Sequence, residues 1–290
     1  MVVVLALGSA LAYALASVAQ HAAATSAPES YELRPGLLVH LAQRRLWLGG
    51  IAADIAGFLL QAAALERGEL VLVQPLLVSG ILMALPLGAA RLGRRMTTSE
   101  WGQAAALAFA LATFLVVAAP EEGRDTASGR AWVMTGLLVG VATVVLVGVG
   151  QVRVRHRASL YGCAAAVVYA WTAALLKTTT GTLGGGVGSM LLSWPVYALA
   201  VAGLAGMLLA QSAFQAGPLR ASLPALTVID PVVSACFGVV LFGERVHTGS
   251  LAGPVEAAAA VVMCVAAVGL SRSPLVGAET HSAPSEVRER

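Results

Sequence analysis

Gly57-Phe-Leu-Leu-Gln-Ala-Ala-Ala-Leu-Glu-Arg-Gly68 returns 149 residues later as Gly206-Met-Leu-Leu-Ala-Gln-Ser-Ala-Phe-Gln-Ala-Gly217. The same offset carries Pro75 onto Pro224, and an offset of 156 carries Tyr13 onto Tyr169 and His21 onto Lys177. Both copies lie in long apolar runs. Nine such runs fill the chain, at residues 1–24, 47–66, 69–92, 99–118, 131–151, 158–178, 191–213, 218–242 and 248–271. Each is long enough for a helix to cross a bilayer, which takes roughly 20 apolar residues. Spans one to four therefore resemble spans six to nine, with span five between them. Equivalent helices stand five spans apart, and an odd separation reverses their direction. The pattern predicts two inverted repeats.

Composition agrees with a bilayer as solvent. Of 290 residues, 58% are hydrophobic and 11% charged, with mean hydropathy +0.82. A soluble domain carries about 25% charged residues. Runs this long favour helices over strands. The expected fold is an all-α integral membrane protein of about nine transmembrane helices, nine or ten, in two inverted-topology repeats. Repeat one covers 1–118, a linker helix 131–151 and repeat two 158–271, all in one transporter domain over 1–271. The polar tail 272–290 reads as disordered and cytoplasmic.

Nine spans sort the basic residues by side. Arg67, Arg124, Arg130, Lys177 and Arg245 fall on the N-terminal side, and the other 13 of the 18 Lys and Arg fall opposite. The positive-inside rule then places the C-terminus in the cytoplasm and the N-terminus outside. The expected location is a bacterial cytoplasmic membrane. Residues 1–24 lack a positive n-region and exceed a normal signal-peptide h-region, so they read as a retained first helix. The charge of +3 comes with no basic, aromatic-interleaved surface, so nucleic acid is not an expected partner. The lipid bilayer is, together with a small solute or cation, and a homodimer stays open.

Between the spans, Leu37, Leu38 and Leu41 share a face opposite Gln43 and Arg44, which predicts a short interfacial helix within 30–46. Thr178–Gly188 reads as a flexible connector. Gly49, Ala53 and Gly57 form a small-residue stripe expected at a close helix contact. Lys177 and His21, near span ends, are expected to snorkel to the interface. Glu244 and Arg245 read as a local ion pair or interface anchor.

Polar residues inside spans carry the functional reading. A charge at the bilayer centre costs about 2.5–3.5 kcal/mol, so it is expected to face a cavity, a partner or a proton. Three carboxylates lie inside spans and away from their ends: Asp54, Asp230 and Glu256. Asp54 and Gln61 share one face of span two. Thr227, Asp230 and Ser234 make a stripe on span eight, Gln211 and Gln215 lie one turn apart on span seven, and Gln74 precedes Pro75. The expected solute or ion site comprises Asp54, Gln61, Gln74, Gln211, Thr227, Asp230, Ser234 and Glu256. For each acid the rival reading is a structural hydrogen bond. Tyr161, Tyr169 and Thr172 are further path-lining candidates on span six.

No His-Glu-x-x-His, Gly-x-Ser-x-Gly or Cys-x-x-Cys motif occurs, and Gly184–Gly186 lacks the lysine of a phosphate loop. Cys163, Cys236 and Cys264 have no paired spacing. No enzyme activity and no cofactor are expected.

Ile229-Asp-Pro-Val-Val-Ser-Ala-Cys-Phe-Gly-Val-Val-Leu-Phe-Gly-Glu-Arg245 resembles the end of an EamA-type repeat of the drug/metabolite transporter superfamily. Val73-Gln-Pro-Leu-Leu-Val-Ser-Gly80 resembles the matching helix of the NIPA-like branch, known for magnesium transporters and for members without an assigned substrate. The resemblance spans most of residues 1–271. It implies a secondary transporter working by alternating access, with a cavity between the halves lined by spans two, three, seven and eight. For Mg²⁺ as cargo, Asp54 and Asp230 would be ligands. For an organic metabolite, one acid would carry a coupling proton. Repeat one departs from the pattern, with Arg95 where repeat two has Glu244. A non-transporting scaffold or accessory subunit is the rival of another class, and it predicts a dry, closed centre.

Overall fold

The computed structural model describes residues 1–24, 27–28, 32–83, 95–118, 123–124, 126–217, 219–244 and 252–273. Its helices are α1 (Val2–Ala24), α2 (Pro35–Leu41), α3 (Arg45–Leu65), α4 (Leu70–Val78), α5 (Thr98–Ala118) and α6 (Gly129–Val152). After them come α7 (Arg157–Gly181), α8 (Val187–Leu192), α9 (Trp194–Gln215), α10 (Leu219–Phe237) and α11 (Ala252–Ser271). An apolar solvent offers no partner to backbone N–H and C=O groups, and helices satisfy these groups within one segment. Among the described residues seven helices are long and apolar enough to cross a membrane, and the chain is an α-helical membrane protein. These are α1, α3, α6, Val154–Gly181, α9, Ala221–Phe242 and Gly253–Ser271. The remaining two apolar stretches also hold helices. One is α5, and the other is α4 with its continuation to Met83. The rest of that third stretch, to residue 92, and the tail from 274 onward lie outside the described residues.

α7 is the hub. It packs on α9 and α10, and α6 covers it. Ala164, Ala165, Ala166, Ala170, Ala173 and Ala174 are buried on it. Small side chains let helix axes approach where lipid provides no hydrophobic drive. α1 packs along α3, and α5 pairs with α11.

Two kinds of close contact each occur twice in the fold. A Cβ on Gly57 would stand 2.9 Å from the Tyr13 ring, and one on Gly206 would stand 2.7 Å from the Tyr169 ring. A Cβ on Gly68 would meet Val2 at 2.7 Å, and one on Gly217 would meet Ala158 at 3.0 Å. These are the residue pairs that the offsets of 149 and 156 align. Gly206→Ala is expected to drive Tyr169 off its rotamer and lower stability by about 1–3 kcal/mol. Thermal unfolding of the detergent-purified protein checks this, and an unchanged midpoint would contradict it.

Several sequence expectations change. Of the Gly49, Ala53, Gly57 stripe, Gly57 makes the close contact and a Cβ on Gly49 would meet nothing within 4 Å. Gly50 instead sits against Gln20 and Ala16. The short helix is there, as α2, but Leu37 and Leu41 are fully buried in the protein, and α2 packs on α9. The connector expected over 178–188 begins later. Thr178, Thr179 and Thr180 are buried in α7, and Thr179 and Thr180 donate their hydroxyls back to the carbonyls of Leu175 and Lys177.

Pro75 lies inside α4, and Pro224 and Pro231 lie inside α10. Pro231 has no N–H, so it leaves the Thr227 carbonyl without its helical donor. α10 runs on into a wide turn, Gly238–Phe242, and Gly243 ends it at φ 66°. That left-handed backbone suits glycine, which has no Cβ to clash.

Candidate functional site

A cavity of about 770 Å³ lies among α1, α3, α4, α7, α9 and α10. Its volume falls in the range of small-molecule sites. A cleft of about 820 Å³ runs along α6, but glycine, valine, leucine and tryptophan alone wall it. The central cavity holds the ionisable groups, and both Asp54 on α3 and Asp230 on α10 line it.

Each acid accepts a side-chain hydrogen bond. Gln20 Nε2 donates to Asp54 Oδ2 at 2.5 Å, and Ser234 Oγ donates to Asp230 Oδ1 at 3.1 Å. Gln20 is itself oriented across the molecule. Gln211 Nε2 donates to Gln20 Oε1, and Trp47 Nε1 donates to Gln211 Oε1 at 3.3 Å. Tyr13 Oη donates to Gln61 Oε1 at 2.7 Å, and Tyr169 completes the aromatic wall. Thr227 lines the cavity but donates its hydroxyl to the Leu223 carbonyl.

Gln74 is the exception. It is 1% exposed, lines the cavity, and neither its amide nitrogen nor its oxygen has a partner among the described residues. A buried polar group without a partner costs about 1–3 kcal/mol. Gln74→Leu is therefore expected to raise the thermal midpoint of the empty protein. A lowered midpoint would mean that the amide is satisfied after all.

Beyond the cavity's end, where α4 begins, a second polar cluster is buried. Lys177 Nζ contacts both Glu69 Oε2 and Glu244 Oε1, the latter at 2.7 Å. The side chains are 4%, 15% and 0% exposed respectively. Glu244 also accepts the Leu70 and Val71 amides at 3.1 and 2.9 Å, so it caps α4 from a distant part of the chain. This overturns two expectations. Lys177 does not snorkel, because two carboxylates hold it inward. Glu244 is an interhelical cap rather than a local pair. The side chain of His21 and all of Arg245 lie outside the described residues.

A search of curated proteins aligns 274 residues with "Uncharacterized protein Cgl0250/cg0304" of Corynebacterium glutamicum at 30% identity, covering 93% of this chain and 94% of that protein. The chain belongs to that protein's family. No family model matches the chain. No solved structure matches it either.

For this member of the family, the structure sorts the expected site residues. Asp54, Gln61, Gln74, Thr227 and Asp230 line the cavity. Gln211 and Ser234 stand behind it, fully buried, and orient its acids. Glu256 is not among the lining residues. It is buried on α11, which packs against α5, because it occupies a helix outside the six that surround the cavity. The expected walls were spans two, three, seven and eight, and α1 and α7 contribute as well. Among the described residues no cluster of three or more His, Cys, Asp or Glu could hold a metal. The main residue missed is Gln20. Tyr13, Ser17 and Gln20 repeat at helical spacing on span one, and that stripe was the available signal.

Proposed function

We propose that the protein is a secondary transporter of the drug/metabolite superfamily, and that it carries a small cationic organic solute through the central cavity by alternating access. The observation that carries this reading is the cavity itself, with one carboxylate from each half facing it. Nine spans in two inverted repeats would place the cavity between rocking halves, and the recurring Tyr–Gly contacts support that symmetry. Asp54 aligns with Gly203, and Asp230 with Ile81, so the two acids are not equivalent. Gly203 and Ile81 line the same cavity. An amine would be held between the acids against Tyr13, Phe58 and Tyr169, with Gln74 accepting and donating to its polar substituents. The proposed location is a bacterial cytoplasmic membrane, and the charge bias of the connections supports a C-terminus on the cytoplasmic side.

Mg²⁺ is the second reading. Mg²⁺ keeps several waters and needs only one or two carboxylates, which Asp54 and Asp230 provide. A largely apolar and aromatic wall fits an organic cation better than a hydrated ion. A scaffold without transport would have no use for two acids facing an open cavity.

The test is flux into liposomes holding the purified protein, with a labelled aromatic monoamine and Mg²⁺ in parallel under an imposed pH gradient. Amine uptake above that of empty liposomes is expected. Uptake of Mg²⁺ alone would move the assignment to the metal, and uptake of neither would remove the reading.

A further inference from the structure

The cluster of Glu69, Lys177 and Glu244 is not part of the cavity, and the transport reading makes no use of it. It joins three segments distant in sequence: the start of α4, the end of α7 and the chain after α10. The alternation of spans puts all three on the N-terminal side, and Leu176, next to Lys177, lines the cavity. The cluster therefore sits beside that end of the cavity.

Its composition is unbalanced. One ammonium faces two carboxylates in a buried place, leaving a net single negative charge where burial of charge is costly. Glu69 and Glu244 also lie within hydrogen-bonding reach of each other. Two ionised carboxylates cannot share a hydrogen bond, because neither has a proton to donate. The surroundings leave little freedom. A Cβ on Gly238 would collide with Glu244 Oε2, and one on Gly123 would stand 2.7 Å from Glu244 Cγ. The Gly123 amide donates to Glu69 Oε1 at 3.3 Å. Arg124 also faces this end, its guanidinium 3.6 Å from where a Gly243 Cβ would sit.

We propose that this cluster is a proton-binding site, separate from the cargo cavity, whose shared proton latches α4 to α7 and to the chain after α10. A proton from bulk water adds to one carboxylate oxygen, an O–H···O bond forms between Glu69 and Glu244, and the cluster becomes neutral. Burial and the Glu69 carboxyl push Glu244 above its usual range, against the pull of Lys177 and the Val71 amide. In an opened, hydrated arrangement Glu244 would titrate as an ordinary carboxylate. Proton binding thus favours the latched form. That contribution is fully present at and below the ordinary carboxylate range and is lost as pH rises through the raised value. Only the link from latch to transport rests on the proposed function.

The protein carries its own reporter. Trp132 stands edge-on to Phe242 at 6.3 Å, and Lys177 Nζ lies 5.2 Å from the centre of the Phe242 ring. Tryptophan fluorescence of the full-length protein, titrated from acid to alkaline pH, should show a one-proton transition that Trp132→Phe removes. The transition should vanish in Glu69→Gln and in Glu244→Gln, and it should persist in the Asp54→Asn/Asp230→Asn double variant. If Glu244→Gln fails to fold through loss of the α4 cap, Glu69→Gln decides alone. A transition unchanged by Glu69→Gln, or one abolished by the Asp double variant, overturns the proposal. Flux is not read, so failure of the transport assignment leaves this result standing.

Discussion

Lys177→Met is expected to cost about 3–5 kcal/mol, the scale on which breaking a buried ion pair destabilises a protein. The substitution keeps the aliphatic stem and removes the ammonium, which leaves Glu69 and Glu244 together without a cation. Fluorescence-detected size exclusion after heating is the measurement, and the variant should lose its folded peak well below the wild-type temperature. Adding Glu69→Gln to Lys177→Met removes one of the two stranded charges and should recover part of the loss. Wild-type stability in the single variant would mean that Lys177 contributes no net attraction, and the ion-pair description would then be wrong. Lys177→Arg is not a conservative control here. The guanidinium is broader than an ammonium, and Gly123 and Gly238 already crowd the site.

Asp230→Asn and Asp54→Asn are each expected to lower uptake of the cationic probe by about 30-fold or more. That corresponds to losing one partner of a buried charge pair, at about 2 kcal/mol or more. Asparagine is nearly isosteric with aspartate, and in Asp230→Asn the Ser234 hydroxyl can donate to the new amide oxygen as it does to the Asp230 carboxylate. Folding should survive, with a monodisperse elution profile as the control. The acids should differ in one respect. Asp54 depends on the line of donors from Trp47 through Gln211 and Gln20, so Gln20→Leu should reproduce part of the Asp54 defect. It should leave Asp230 untouched. Equal transport by wild type and both Asn variants would remove the acids from cargo binding.

The sequence was informative wherever a single segment decides the outcome. Apolar runs of spanning length imply helices, because the backbone must satisfy itself in lipid. The residues that the two offsets pair, Gly57 with Gly206 and Tyr13 with Tyr169, make like contacts in the fold, although the offsets themselves name no contact. Asp54 and Asp230 were conspicuous because a carboxylate in an apolar run is costly and needs a partner or a cavity. Glu256 met the same criterion and still lies away from the cavity, because periodicity does not tell which neighbour a helix face meets. Gln20 went unremarked, since an amide in an alanine-rich helix costs far less than a charge and stands out less.

The amino-acid sequence by itself determined the helical elements, their order and the acids that the bilayer would not tolerate unpartnered. These follow from local composition and from the thickness of a membrane. Only the tertiary structure decided that Gln211 reaches Asp54 through Gln20, that Gln74 is left without a partner, and that Glu69, Lys177 and Glu244 form one cluster. The members of that cluster stand 108 and 67 residues apart in sequence. Their meeting depends on how α4, α7 and α10 pack, which is a property of whole helix surfaces rather than of any residue's neighbours along the chain.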